Sequence, residues 1–295
     1  MTEPVIYVNG EFVQEGQARI SVLDHAVLYG DGVFDTVAAW GGRIFKLDEH
    51  IDRFFRSMRA IAIPPPVDRD RLRFLVLEAV RLNKLENAYV KWICTRGSNG
   101  APLMDPEGCV PNLIIITRHY IHCAAGGTTG LRMKTAAIRR PSGQVLDSHV
   151  KSLNYLNLVL AKLEAKAAKA DHALLLDLSG RICEAPGFNV FLVHGNRLHT
   201  PRHDILEGIT RATVLDLARE AGLDCREEDL ELYHAYTADE MFLTSTAGGL
   251  LPVTELDGRT IGEGRPGPVF TRMAEAYRKL LESGRHGTEV YEAAP

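Results

Sequence analysis

Apolar and polar positions change period repeatedly along this chain, and each change predicts an element. Val5-Ile6-Tyr7-Val8 and Phe12-Val13 flank Asn9-Gly10, the strongest short-range signal for a hairpin. Val33 to Trp40 reads as a strand, Gly41-Gly42 as a turn and Arg43 to Lys46 as the returning partner. With Asp48 as a capping residue, Ile51, Phe54, Phe55 and Met58 recur at helical spacing and predict a helix to about Ile61. Pro64-Pro65-Pro66 ends it. A second helix is expected over Asp70 to Leu82, then strands over Ala88 to Thr95 and Asn112 to Thr117.

Composition shifts at Cys123 to Gly130, a small, flexible, uncharged stretch that reads as a linker. The expected division is a small N-terminal domain over 1–122, a linker over 123–130 and a larger C-terminal domain over 131–295. In the second half, strands are expected at Leu131 to Ala137, Ala173 to Asp177, Asn189 to Val193 and Glu240 to Thr244. Helices are expected at Leu156 to Ala168, Ile209 to Ala221 and Pro268 to Leu281. The mixture lacks a regular strand–helix–strand rhythm, so the fold class is α+β rather than doubly wound α/β.

At 295 residues the chain is long for one core and comfortable for two domains. A net charge of -4 gives no reason to expect nucleic acid as a partner. Five cysteines without CxxC spacing favour a reducing compartment over a disulfide framework. The histidines form no HExxH-type metal pattern. Neither a secretory leader nor an apolar run near the ~20 residues of a membrane span is visible. The expectation is a cytoplasmic protein.

Among the lysines, Lys151 stands out. It lies in Asp147-Ser148-His149-Val150-Lys151-Ser152-Leu153-Asn154-Tyr155, just before a helix-forming stretch, and Tyr155 would share its face if the helix began that early. A lone lysine is usually a solvated charge, but these apolar, small and amide neighbours suit a held amine. Glu184 follows in Arg181 to Phe191, framed by small residues. A Schiff-base lysine, a phenol and a distant carboxylate are what pyridoxal 5'-phosphate (PLP) asks of a protein. Glu184 would keep the pyridine nitrogen protonated. Tyr155 would face the ring hydroxyl, or else is a core tyrosine. For the phosphate, Ile209 and Thr210 open a helix after Gly208, and Thr244 to Gly249, with Thr246 and Ala247, offers hydroxyls and amides after a buried strand. Each of these is also an ordinary cap or turn. Arg53 is a further phosphate candidate or a solvated helix charge.

Tyr29-Gly30-Asp31-Gly32-Val33-Phe34, His50-Ile51-Asp52-Arg53, Lys151 to Tyr155, Glu184 to Phe191, Glu207 to Arg211 and Thr244 to Gly249 together resemble the class IV aminotransferases, the PLP enzymes of fold type IV. The resemblance covers essentially the whole chain. It implies a small and a larger domain with PLP in the cleft between them, and a homodimer whose partner subunit helps close the site. It makes Lys151 the Schiff-base lysine, Glu184 the pyridine partner and Tyr155 the hydroxyl partner. Arg53, Ile209, Thr210 and Thr246 correspond to phosphate positions. The reaction so implied moves an amino group from a small-molecule donor to a keto acid such as 2-oxoglutarate, with the freed Lys151 amine as acid and base.

The second half looks most like branched-chain aminotransferases. Those carry Tyr-x-Arg on a small-domain strand where this chain has Tyr89-Val90-Lys91, so the planar fork of arginine is lost. D-amino acid transaminases share Asp31-Gly32-Val33-Phe34, but their Arg-x-His pair is missing between Arg96 and Asp105. (R)-amine transaminases resemble the chain at Thr246 to Gly249, and aminodeoxychorismate lyase at Tyr29 to Gly32. The expectation is a branched-chain-type transaminase with a relaxed pocket of Tyr29, Phe34, Tyr89, Lys91 and Ala247. Trp92 is the weakest candidate there, since strand alternation turns it toward the core.

Overall fold

The structure, a computed structural model, describes residues 3–119 and 129–291. The chain forms two compact units, one of Met1–His122, Val150–Asn154 and Gly284–Pro295, the other of Cys123–His149 and Tyr155–Ser283. The division is therefore not a single cut at a linker. The segment that carries Lys151 pairs with a strand of the first unit, and the chain returns there once more at its end. Most of the expected linker, 123–128, lies outside the described residues.

In the first unit the chain runs β1 (Val5–Val8), β2 (Glu11–Gln14), α1 (His25–Tyr29), β3 (Gly32–Trp40), β4 (Arg43–Phe45), α2 (Leu47–Ala60), α3 (Arg69–Leu82), β5 (Ala88–Ser98) and β6 (Val110–His119). These strands, with Gly287–Glu289 at one edge, make an antiparallel sheet in the order Gly287–Glu289, β4, β3, β5, β6, β1, β2. Ile51, Phe54 and Met58 of α2 and Leu72, Leu75, Val76 and Val80 of α3 bury against Val33, Val37, Val90 and Trp92 on one sheet face. Burying each large side chain stabilises by about 2–3 kcal/mol. Helix α2 starts one residue before the expected cap: Lys46, in the left-handed region, takes the N-cap position, and Asp48 sits in the first turn, where its charge suits the helix dipole.

The second unit contains β7 (Leu131–Thr135), α4 (Leu156–Ala167), β8 (His172–Leu174), β9 (Glu184–Ala185), β10 (Phe188–His194), β11 (Arg197–Pro201), α5 (Ile209–Glu220), β12 (Asp224–Glu228), α6 (Leu232–Tyr236), β13 (Glu240–Ser245), β14 (Gly249–Leu256), β15 (Arg259–Thr260) and α7 (Pro268–Glu282). Its sheet runs β12, β11, β10, β13, β14, β7, β8, with β9 on β10 and β15 on β14. Pairing is parallel at β11/β12, β14/β7 and β7/β8 and antiparallel elsewhere. Phe191 and Phe242 stack at 5.1 Å in its core. No helix among the described residues is long and apolar enough to cross a membrane.

Candidate active site

In the first unit, Val150–Asn154 is an extended strap on the free edge of β3. The Phe34 N–H donates to the Lys151 carbonyl at 2.9 Å, the Leu153 N–H to the Gly32 carbonyl at 2.9 Å, and Val33 bridges Ser152. On its other side β3 pairs with β5, so Gly32 is hemmed in by both. A Cβ there would lie 2.7 Å from the Cys94 carbonyl oxygen and 2.7 Å from Leu153 Cδ1, which is why the Gly-Asp-Gly motif needs its second glycine. The Lys151 N–H donates to Ser57 Oγ of α2 at 3.1 Å, fixing the strap from beneath.

Helix α4 begins only at Leu156, so Lys151 and Tyr155 do not share a helix face. Ser152 and Leu153 pair with β3, and the Asn154 side chain donates to the Gly30 carbonyl at 3.2 Å, instead of continuing the helix.

Strand alternation sorts the remaining first-unit candidates. Phe34 faces Ile93 and Thr36 faces Lys91, so Phe34, Tyr89, Lys91 and Ile93 share the sheet face opposite the helices. Lys151 joins them: its Nζ lies 4.7 Å from the Phe34 ring centre, and that of Lys91 lies 4.1 Å away. Trp92 points the other way, fully buried against Phe54 at 6.1 Å. Tyr29 lies on α1 with its hydroxyl donating to the Pro102 carbonyl at 3.1 Å. Asp31 pairs with Arg96, which also holds the Ile61 carbonyl at 2.7 Å, so these two motif residues knit the turns together.

Arg53 is not a solvated charge. It is 5% exposed and grips Asp35 at two points, Nε to Oδ2 at 2.9 Å and Nη2 to Oδ1 at 2.8 Å. His50, one turn earlier on α2, meets Asp35 Oδ1 through Nδ1 at 2.8 Å. Burial pushes the Asp35 carboxyl upward, but the adjacent guanidinium and imidazole outweigh it and hold the group well below the usual carboxylate range. Burial pushes His50 down, and Arg53 and Lys151 add to that against the pull of Asp35. Asp35 is absent from the sequence reading. A carboxylate inside the apolar run Val33 to Trp40 signals a buried cation opposite, and helical spacing puts His50 and Arg53 on one face.

In the second unit, Glu184 is 4% exposed, with Oε1 2.9 Å from Nη2 of Arg140 and Oε2 accepting from the Leu206 N–H at 2.9 Å. Arg140, unremarked in the sequence, is the buried cation that pairs with this carboxylate. Tyr155 packs on the small cluster of Ala136, Leu158, Ala161, Ala165, Ala173 and Leu175. Gly208 is the N-cap of α5 without a side-chain cap, which leaves the first-turn N–H groups of Ile209 and Thr210 for an outside acceptor. A Cβ on Gly208 would lie 2.0 Å from Asn189 Oδ1, so the glycine makes room for Asn189, whose amide donates to the Leu206 carbonyl at 2.8 Å. Thr210 is buried and bonded to Tyr277, whose phenol burial pushes up to about 12. Thr246 and Ala247 form the turn from β13 to β14, where Ser245 Oγ accepts the Gly248 N–H at 2.8 Å.

These donor sets fit a phosphorylated pyridine aldehyde. One unit provides an amine fixed by its backbone and a rigidly held guanidinium. The other provides a buried carboxylate, a helix N-terminus without a side-chain cap and the buried Thr244 hydroxyl, which has no hydrogen-bond partner among the described residues.

The family model of the class IV aminotransferases matches residues 32–256 of this α+β chain. The chain belongs to that family, whose members use PLP. It is 41% identical over 97% of its length to 99% of a Methanocaldococcus jannaschii protein provisionally named a branched-chain-amino-acid aminotransferase. It is 36% identical over 94% of its length to 92% of the branched-chain-amino-acid aminotransferase of Pseudomonas aeruginosa. Among solved structures it superposes on the branched-chain aminotransferase of the archaeon Thermoproteus uzoniensis with norvaline, with a TM-score of 0.91, 30% identity and 98% and 99% of the two chains covered. A second solved branched-chain amino acid aminotransferase, complexed with N-(5'-phosphopyridoxyl)-L-glutamate, gives a TM-score of 0.92 at 32% identity, with 99% and 100% covered. That enzyme is also known with pyridoxamine 5'-phosphate.

Proposed function

We propose that this protein is a branched-chain-type transaminase that moves an amino group from an amino acid such as leucine to a 2-keto acid such as 2-oxoglutarate in a ping-pong cycle. The observation that carries the reading is the Lys151 amine set 4.7 Å from the Phe34 ring, with Tyr89 on the same sheet face, an apolar aromatic wall suited to a hydrocarbon side chain. The names of its relatives support the same donor class.

PLP supplies the aldehyde and the electron-withdrawing ring. Lys151 would hold the aldehyde and, once displaced by the donor, carry a proton between the donor Cα and the cofactor's C4′. Glu184 would keep the pyridine nitrogen protonated, and Tyr155 would hydrogen-bond the ring hydroxyl. Arg53, Ile209, Thr210 and Thr246 would hold the phosphate, through the guanidinium, the α5 N-terminus and the β13–β14 turn. Lys91 and Ala247 would meet the substrate's carboxylate end, with Tyr29 at the rim.

We place it in the cytoplasm as a homodimer. Leu156, Val159, Leu160 and Leu163 form an exposed apolar stripe at helical spacing on α4, which supports a second copy as partner.

The test is steady-state kinetics with L-leucine, L-isoleucine or L-valine against 2-oxoglutarate. Parallel double-reciprocal lines and release of the branched keto acid are expected. Turnover of a D-amino acid or an (R)-amine in place of these donors would move the chain to another branch of the family.

A further inference from the structure

Resting on the reading of the α5 N-terminus as the phosphate site, we propose that Arg211 is a positioning residue for the cofactor. It locks the first turn of α5 onto β11 and β12, so that the Ile209 and Thr210 N–H groups stand preorganised for the phosphate. Arg211 closes the motif Glu207 to Arg211, directly after those two residues, and is 6% exposed. Its Nε donates to Thr200 Oγ1 at 3.2 Å, and its Nη2 donates to the Pro201 carbonyl at 2.9 Å and to Glu227 Oε2 at 2.8 Å. Thr200 and Glu227 are register partners on the parallel pair β11 and β12, so the planar guanidinium spans one rung of the sheet. Thr200 in turn donates to the Val190 carbonyl of β10 at 2.8 Å, which extends the tie to a third strand.

The first turn of α5 lacks the usual local restraint. Gly208 holds the N-cap position and has no side chain to cap it. First-turn N–H groups make no bonds within the helix, and helix ends fray. A phosphate gains most from donors already aimed at it, because binding then has no ordering cost to offset. Arg211 supplies that order from the sheet side. Further along α5, Arg219 Nη2 stands 3.7 Å from Glu227 Oε1, so one carboxylate of β12 meets the helix at two points about two turns apart.

The test titrates the full chain, freed of cofactor, with PLP and with pyridoxal, which has the same ring and aldehyde without the phosphate, and follows visible absorption. Wild type should bind PLP far more tightly than pyridoxal. Arg211→Lys keeps the charge but not the fork. It should raise the PLP Kd by roughly tenfold, the equivalent of one hydrogen bond to a charged group, and leave the pyridoxal Kd unchanged. Glu227→Ala removes an anchor at an exposed carboxylate and should also weaken PLP several-fold, although loss of a negative charge alone would tighten an anion. If Arg211→Lys fails to fold, Glu227→Ala carries the test by the same comparison. Unchanged PLP affinity in Arg211→Lys, tighter PLP in Glu227→Ala, or equal losses for PLP and pyridoxal would each overturn the inference, the last by showing a general loss of fold. A wild-type chain that binds both compounds equally would instead overturn the phosphate site at α5.

Discussion

Arg53 and Asp35 form a two-point ion pair inside the first unit, Nε to Oδ2 and Nη2 to Oδ1, with the carboxylate wholly buried in the middle of β3. The pair aims a guanidinium that would otherwise have several rotamers, and it does so from a strand whose next-door residue, Phe34, takes the Lys151 strap.

Replacing Asp35 by Asn keeps its shape but leaves Arg53 buried without its counter-charge. Removing one partner of such a pair costs about 3–5 kcal/mol. Urea unfolding should register that loss, and PLP should bind more weakly because the guanidinium proposed for its phosphate is no longer held. A variant as stable as wild type with unchanged PLP affinity would contradict the account.

Glu184→Gln removes the anion that Arg140 pairs with at 2.9 Å. With no carboxylate to keep the ring nitrogen protonated, kcat should fall by roughly 10²-fold or more, a loss typical of removing one preorganised electrostatic group. PLP should still bind through the phosphate residues. Equal kcat in the two proteins would remove Glu184 from its role.

Acid should weaken the fold through the half-buried His172. His172 is pushed down to about 4, first by burial and then by Lys162, while it packs on Phe188 at 5.0 Å. Its folded pKa lies below its unfolded value of 6.5, so the unfolded state takes up the proton first. Its contribution to stability is complete above pH 6.5 and is lost as pH falls toward 4. Urea midpoints measured from pH 7 to pH 4 should decline, and less steeply for His172→Gln. An identical slope in both would refute this.

Sedimentation should give twice the 32.6 kDa of one chain. Substituting Val159 and Leu163 together with glutamate puts charge into the α4 stripe and should shift the protein toward monomer. A wild-type chain that sediments at the monomer mass would contradict the dimer.

Much of this fold could be read from the chain because local signals agreed with it. The Asn9-Gly10 hairpin, the α2 and α3 periodicity and the glycine at the head of α5 each formed near the expected residues. The strands Arg197–Pro201, Asp224–Glu228 and Gly249–Leu256 went unread, since their mixed polar and proline content masks the alternation and their pairing is long-range. Helix α1 was missed because five residues are too few to show a period. The site residues were legible by motif, but their supports were not. Asp35, Ser57 and Arg140 act through contacts between distant segments, which a linear pattern does not carry.

The most direct measurement is the half-reaction of the purified holoenzyme, following its visible absorption without an acceptor. L-leucine should bleach the band and 2-oxoglutarate should restore it, while Lys151→Ala should show neither response. A band that ignores L-leucine and bleaches only with D-alanine or an (R)-arylalkylamine would contradict the branched-chain reading. A chain that never acquires the band, even with added PLP, would contradict the cofactor site itself.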